Sequence, residues 1–306
     1  LQPDSAVALD FAFSYHRGPG LNNLQNVSYM YNRLDALQDR YDQQFAGACS
    51  TFKLCSSDCV WPGDLNRDGI VNHFDLLPLG VGWGKTGLDR SGLNTWAPHD
   101  ARDWGEWYNQ DYDVKHLDAN GDGLLDSLDL RTILLHEGLS VPGYSAPADT
   151  YPEGPELLVS HVGLPSVNPN HIKPGDRIVP RVYVKAAPDL YGLAFTLEYD
   201  TLYWTFNNYG NTSVFQNDLW YQKKLDGDLI LATVFTDQTS SLNGKKVVGI
   251  FLYGKSIPDS LPDSTFIRIK NIRGIRADGS EIQLGATALR YCFSGKCAPI
   301  VGAKEP

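Results

Sequence analysis

Nowhere in its 306 residues does the chain carry a run of about 18 apolar residues, so no segment reads as a membrane-spanning helix. Basic residues are the minority, 26 Lys and Arg against 36 Asp and Glu, for a net charge of −10. With no Lys/Arg cluster along the sequence, nucleic acid is not an expected partner. Catalytic signatures are missing as well. There is no Gly-x-Ser-x-Gly, no phosphate loop and no His-Glu-x-x-His, since Gly-Leu-Ser follows His136-Glu137. The seven histidines (His16, His73, His99, His116, His136, His161 and His171) are scattered. Paired catalytic carboxylates are recognised by geometry rather than by pattern. No substrate-groove pattern stands out, and an enzyme is not expected. No secretion leader begins at Leu1, so the chain is either cytosolic or already processed.

Cysteine is sparse, five in all, and its placement favours processing. Cys49, Cys55 and Cys59 cluster early, and Cys292 and Cys297 lie near the end. Zinc would need a second close pair or nearby histidines, and neither is present. Disulfides are expected instead: Cys292 with Cys297, and one bridge among the first three. One thiol is then left free or paired outside the chain.

What the sequence does contain is one oxygen-rich loop pattern, twice, 54 residues apart. The first copy is Asp64-Leu-Asn66-Arg-Asp68-Gly69-Ile70-Val-Asn72-His-Phe-Asp75; the second is Asp118-Ala-Asn120-Gly-Asp122-Gly123-Leu124-Leu-Asp126-Ser-Leu-Asp129. Each offers oxygen side chains at positions 1, 3, 5, 9 and 12, a glycine at position 6 for the sharp turn, and a carbonyl at position 7 from Ile70 or Leu124. Ca²⁺ takes six to eight oxygens, and this spacing supplies them from one short segment, so two calcium sites are expected. Such calcium more often stabilises than signals or catalyses, and millimolar-range loops suit an extracellular setting.

Around the loops, composition divides the chain into 1–48, 49–139, a Pro/Gly/Ser/Ala-rich linker at 140–155, and 156–306. Residues 6–13 alternate with period two and read as a strand. Met30, Leu34, Leu37, Tyr41 and Phe45 recur at helical spacing. An isolated strand is not stable, so 6–13 must pair with a sheet in this chain or in a neighbour. A short helix with a stop at Gly138 is expected after the second loop, and one cut short by Pro78 and Gly80 after the first. Beyond the linker, alternation at 177–185, 193–199 and 267–270, with further strands at 157–162, 219–225, 229–235, 246–253 and 282–291, reads as an antiparallel β-sandwich. The fold class is therefore mainly β with a small α/loop calcium module.

A loop followed by an exiting helix, twice, resembles the dockerin family. Asp stands at position 12 where an EF-hand usually has Glu, and Pro62-Gly63 leave no helix entering the first loop. The spacer 76–117 departs from the close succession of dockerin repeats and looks like modules of secreted Bacteroidetes proteins with split repeats. Its Trp83, Trp96, Trp104 and Trp107 read as a small core, with a sugar-binding platform as the alternative. His116, two residues before a ligand, reads as a packing group. The sandwich resembles the cohesins, through Pro174-Gly175-Asp176 opening a strand and Leu190-Tyr-Gly-Leu-Ala-Phe-Thr-Leu-Glu-Tyr-Asp200 one strand later. Cohesins bind dockerins, so the resemblance implies contact within the chain or between copies. Acceptor patterns for N-linked glycans occur at Asn26 and Asn211. In a Bacteroidetes setting, Asp-Ser/Thr triplets such as Asp259-Ser260-Leu261 look like O-glycan acceptors. The expectation is a secreted, calcium-stabilised structural or adhesion protein that associates with its own copies into a filament or surface layer. The alternative is a carbohydrate-binding module or accessory subunit, with Trp204, Trp220 and Tyr221 as its exposed aromatics.

Overall fold

The computed structural model describes residues 55, 57–90, 94–161, 167–210, 218–237, 239–255 and 264–293, all within one compact unit that begins at Cys55. The strand expected at 6–13, the helix over 30–45, Cys49, Cys297, and the acceptors at Asn26, Asn211 and Ser260 lie outside the described residues.

Two six-stranded sheets make the sandwich. The first contains β3 (Leu157–His161), β4 (Arg177–Ile178), β5 (Pro180–Val184), β7 (Trp204–Tyr209), β10 (Lys246–Gly254) and β13 (Ala286–Thr287), in the order β13-β3-β5-β10-β4 with β7 also on β10. The second contains β6 (Gly192–Tyr199), β8 (Asp218–Lys224), β9 (Asp228–Phe235), β11 (Ser264–Ile275), β12 (Glu281–Ile282) and β14 (Leu289–Cys292), in the order β12-β11-β6-β9-β8 with β14 on β11. Period-two patterning explains the layers. Val182 and Val184 turn inward while Arg181 and Tyr183 turn out, and Ile267 and Ile269 alternate with Phe266 and Arg268 in the same way. All pairings in the sandwich are antiparallel except β13 with β3. The run expected at 282–291 is broken into three short strands.

Within the sandwich, β7 has no counterpart in the pattern reading. Asn207 and Asn208 lower the strand propensity of β7, yet its tertiary pairing with β10 holds it. β7 also corrects the aromatic row of the carbohydrate alternative. Trp204 is 1% exposed and packs against Tyr291 at 5.3 Å between ring centres, so it belongs to the core. Trp220 and Tyr221 are half-buried.

Ahead of the sandwich lie helix α1 (Leu76–Gly82), the two-residue strands β1 (Trp107–Tyr108) and β2 (Tyr112–Asp113), and helix α2 (Ser127–His136). α1 runs through both expected breakers. Pro78 is its third residue, where the missing N–H falls in the first turn and costs little. All seven α1 residues are buried, because the helix is sandwiched. One side meets Leu117 and Leu125, which a Cβ on Gly82 would approach to 2.8 and 2.6 Å. The other lies on β9, where a Cβ on Gly80 would come within 2.4 Å of Val234 Cγ2. Glycine at 80 thus permits a close helix-on-sheet approach. Leu77 reaches Gly192 on β6, and the Tyr191 hydroxyl donates to the Gly80 carbonyl at 3.5 Å.

The Pro/Gly-rich stretch after α2 is laid against both parts of the unit. Val141 N–H donates to the Gly69 carbonyl, Asn271 N–H to the Thr150 carbonyl and Ala286 N–H to the Pro152 carbonyl, each at 2.9 Å. In the spacer, Trp83, Trp96 and Trp104 pack partly buried on the core, whereas Trp107 is 64% exposed.

Candidate metal centre

Each loop is shaped by its own side chains. Asp75 Oδ1 accepts from Leu65 N–H at 2.8 Å and Asn66 N–H at 3.1 Å, while its Oδ2 accepts from Asn72 N–H at 2.7 Å. Asp129 repeats this in the second loop, accepting from Asn120 N–H at 3.0 Å and Asp126 N–H at 2.8 Å. Asp64 Oδ2 accepts from Gly69 N–H at 3.1 Å, and Asp118 Oδ2 from Gly123 N–H at 3.0 Å. Asn66 and Asp68, like Asn120 and Asp122, accept from the N–H two residues on, forming Asx turns, and the Asn66 and Asn120 amides donate to Asp68 Oδ2 and Asp122 Oδ2 at 3.0 and 2.8 Å. Positions 9 and 12 also start the exiting helices. Asn72 and Asp126 cap the N–H of Phe74 and Leu128, and Asp75 and Asp129 reach back to close the capping box. Ile70 and Leu124 carry the position-7 carbonyls, and neither carbonyl accepts a backbone hydrogen bond from a described residue.

The two repeats brace one another reciprocally. Ile70 bridges to Ser140, behind the second helix, and Leu124 bridges to Thr86, behind the first. The relation is the same in both directions: position 7 of one loop meets the residue at the equivalent place after the other repeat's helix. Gly87 N–H donates to the Gly123 carbonyl at 2.9 Å, as Val141 N–H does to Gly69. Gly69 in turn lies under Tyr144 and Val141, and Gly121 under the Arg90 guanidinium.

The chemistry fits a hard divalent cation. Asp64 Oδ1 is buried with no hydrogen-bond partner, an orphaned acceptor at position 1 of the first loop. Burial, with the neighbouring Asp68 charge, pushes the Asp64 carboxyl up to about 7. Burial, with Asp64 beside it, holds Asp75 well above the usual carboxylate range. In the second loop burial raises Asp118 and pushes Asp129 up to about 7. Arg90 near Asp118 and Asp129, and Arg273 on Asp68, offset only part of this negative charge, and bound Ca²⁺ would supply the rest. Among the described residues no three His, Cys, Asp or Glu side chains are arranged to hold a metal by themselves. A ligand shell here would have to draw on Asn66, Asn72 or Asn120 and the carbonyl of Ile70 or Leu124 as well as the aspartates.

Two arginines sit at the loops that sequence spacing did not single out. Arg90, 8% exposed, donates from Nη1 to the Asp118 carbonyl and from Nη2 to the Ala119 carbonyl, both at 2.9 Å. Arg273 on β11 places Nη1 3.2 Å from Asp68 Oδ2 and stacks its guanidinium over Phe74 at 4.4 Å. Arg90 lies 28 residues before Asp118 and Arg273 lies in another module, so no local pattern announces either. His116 is buried. Burial brings its pKa down to about 4, so its 3.1 Å contact to Asp58 is a hydrogen bond of the neutral ring, consistent with a packing role. Lys115 Nζ pairs with Asp58 at 2.6 Å and Asp103 at 2.7 Å, which ties the Cys55–Cys59 disulfide loop to the turn entering the second loop. Cys292 is also disulfide-bonded, to a partner outside the described residues.

No family model matches the chain, and no curated protein matches it. Its structural neighbours are cohesin modules. A non-cellulosomal cohesin from Archaeoglobus fulgidus aligns at 12% identity and TM-score 0.36, over 48% of this chain and 91% of that one. The type II cohesin A11 from Bacteroides cellulosolvens gives 11% and 0.37, over 45% and 98%. A cohesin module of a family 33 glycoside hydrolase from Clostridium perfringens gives 13% and 0.34, over 44% and 98%. The likeness is one of fold and spans under half of this chain. No described helix is long and apolar enough to cross a membrane.

Proposed function

We propose that this chain is a secreted, calcium-stabilised structural or adhesion protein that associates with its own copies. Calcium at Asp64, Asn66, Asp68, Ile70, Asn72 and Asp75, and at Asp118, Asn120, Asp122, Leu124, Asp126 and Asp129, locks the two repeats that carry α1 and α2. Its role is to hold shape, and no catalytic role is assigned. The disulfides suit an oxidising, extracellular location.

The observation that carries association is an asymmetry between equivalent helix faces. Under the 54-residue offset, Phe74, Leu77 and Gly80 of the first repeat correspond to Leu128, Arg131 and Leu134 of the second. The first set lies against the chain's own second sheet. In the second repeat Leu128, Leu134 and the adjacent Leu135 are 47, 48 and 68% exposed. One repeat is thus docked in cis while its counterpart offers an apolar helix face to a neighbouring copy. If the face meets a different surface of the next copy, the contact propagates unless the rotation closes it. Light scattering of the full chain at millimolar calcium tests this. The wild type should exceed monomer mass, and Leu134→Asp with Leu135→Asp should return it to monomer. A wild type that stays monomeric at high concentration defeats the proposal.

A further inference from the structure

The outer faces of the two sheets differ in how most of their cations are used. On the second sheet, Lys223, Arg268, Lys270 and Arg273 are each ion-paired, to Glu137, Glu198, Asp149 with Asp228, and Asp68 respectively, and Arg290 stacks over Phe266. On the first sheet, Arg177, Arg181 and Lys185 recur along one strand line formed by β4, β5 and the residue after it, and Lys246 stands opposite Tyr183 on β10. None of these four makes an ion pair with a described residue. Four unpaired cations thus share one sheet face in a chain of net charge −10. Strand alternation puts Arg177, Arg181 and Lys185 on one face, and pairing with β10 adds Lys246.

Aromatic rings lie between them. Phe251 and Tyr253 are half-buried and project from the same face of β10, flanked by buried Ile250 and Leu252. Phe251 rests across the backbone of the next strand line, where a Cβ on Gly210 would come within 2.9 Å of its Cε2. The Arg177 guanidinium stacks over the Tyr253 ring at 4.8 Å. Beyond Phe251, Gly249 opposite Arg181 leaves a shallow dip, with Arg181 Cγ no closer than 3.7 Å to where its Cβ would be. The result is a flat strip of rings edged by positive charge, about 26 Å long from Arg177 to Lys185 at the usual strand rise.

We infer that this face binds an extended anionic polysaccharide, one bearing carboxylate or sulfate groups on its sugars. Pyranose rings present apolar C–H faces that stack on Phe251 and Tyr253. Arg177 and Arg181 supply the planar donor forks that match an acid group bidentately, and Lys185 and Lys246 add point charge at the far end. A strip with no walls suits a chain passing through rather than a chain end. The inference develops the glycan-binding alternative. It depends neither on calcium in the loops nor on association through α2.

Affinity electrophoresis of the full chain in gels carrying dextran, carboxymethyl-dextran or dextran sulfate tests it, because the three differ only in charge group. The protein should be retarded by one or both anionic polymers and not by dextran, and the stronger of the two identifies the acid group. Arg177→Ala with Arg181→Ala should weaken binding roughly fivefold or more and reduce its salt dependence. Phe251→Ala should weaken binding while leaving the salt dependence unchanged. Equal migration in all three gels overturns the inference, as does retardation that both variants retain. If light scattering of the protein alone responds to Arg177→Ala with Arg181→Ala, the face is a contact between copies and the inference also falls.

Discussion

Arg273 of the sandwich holds Asp68 of the first loop, Nη1 to Oδ2 at 3.2 Å, so a candidate calcium ligand is also a contact between the two parts of the unit. A fixed positive charge beside a calcium ligand opposes the cation, while the same contact helps seat α1 on the sheet. Arg273→Ala should therefore tighten calcium binding at the first loop by up to about fivefold and lower stability in the absence of calcium by about 0.2–1 kcal/mol. Calorimetric titration, with Asp118→Ala to silence the second loop, separates the two effects.

Calcium should raise the melting temperature. With Kd near 10⁻⁴ M in millimolar Ca²⁺, each loop contributes roughly 1–3 kcal/mol by mass action. Asp64→Ala with Asp118→Ala should abolish the shift. An identical melting curve with and without chelator contradicts it.

Gly80→Ala should destabilise the docked helix. The added methyl would have to displace Val234 or move α1 off β9, an overpacking cost of about 1–3 kcal/mol. Denaturant unfolding measures it, and a variant as stable as wild type would show that α1 does not sit on the sheet as described.

How much of this was legible in sequence differs by element. The loop shape was, because the side chains that form its turns and caps lie within twelve consecutive residues, and most strands were, because a half-buried strand alternates. β7 was not, since Asn207 and Asn208 break the pattern and pairing with β10 overrides them. Trp204 looked like a surface aromatic because only the closed sandwich shows Tyr291 beside it. Pro78 and Gly80 looked like helix breakers because their tolerance depends on the first-turn position of one and the nearness of Val234 to the other. Arg90, Arg273 and Lys246 reach their neighbours only through tertiary contact, which no local period encodes, whereas Arg177, Arg181 and Lys185 share one face by strand alternation.

A buried lysine sets a pH dependence at the linker. Burial works against charge on Lys270, but bonds to Asp149 at 2.8 Å and Asp228 at 3.0 Å outweigh it and raise its pKa above 10.5. The same bond from Lys270 holds Asp149 below its usual 3.8. The lysine's contribution is complete below pH 10.5 and fades as pH rises through its higher folded value. The aspartate's is complete above 3.8 and fades as pH falls through its lower one. Lys270→Met should flatten the stability profile at both limits and leave the slope near neutrality unchanged. Chemical denaturation across pH checks this, and unchanged acid and alkaline arms would contradict it.

Cys292 should pair with Cys297, beside the Cys55–Cys59 bridge, leaving Cys49 as the odd thiol. Mass spectrometry of unreduced peptides reads the pairing directly, and a Cys49–Cys292 peptide would overturn it.

Calcium stoichiometry tests the central claim most directly. Isothermal titration of the chelator-stripped full chain should give two Ca²⁺ per chain, with Asp64→Ala and Asp118→Ala each removing one and the double variant binding none. Heat of binding absent in the wild type, or two sites persisting in the double variant, would contradict the account.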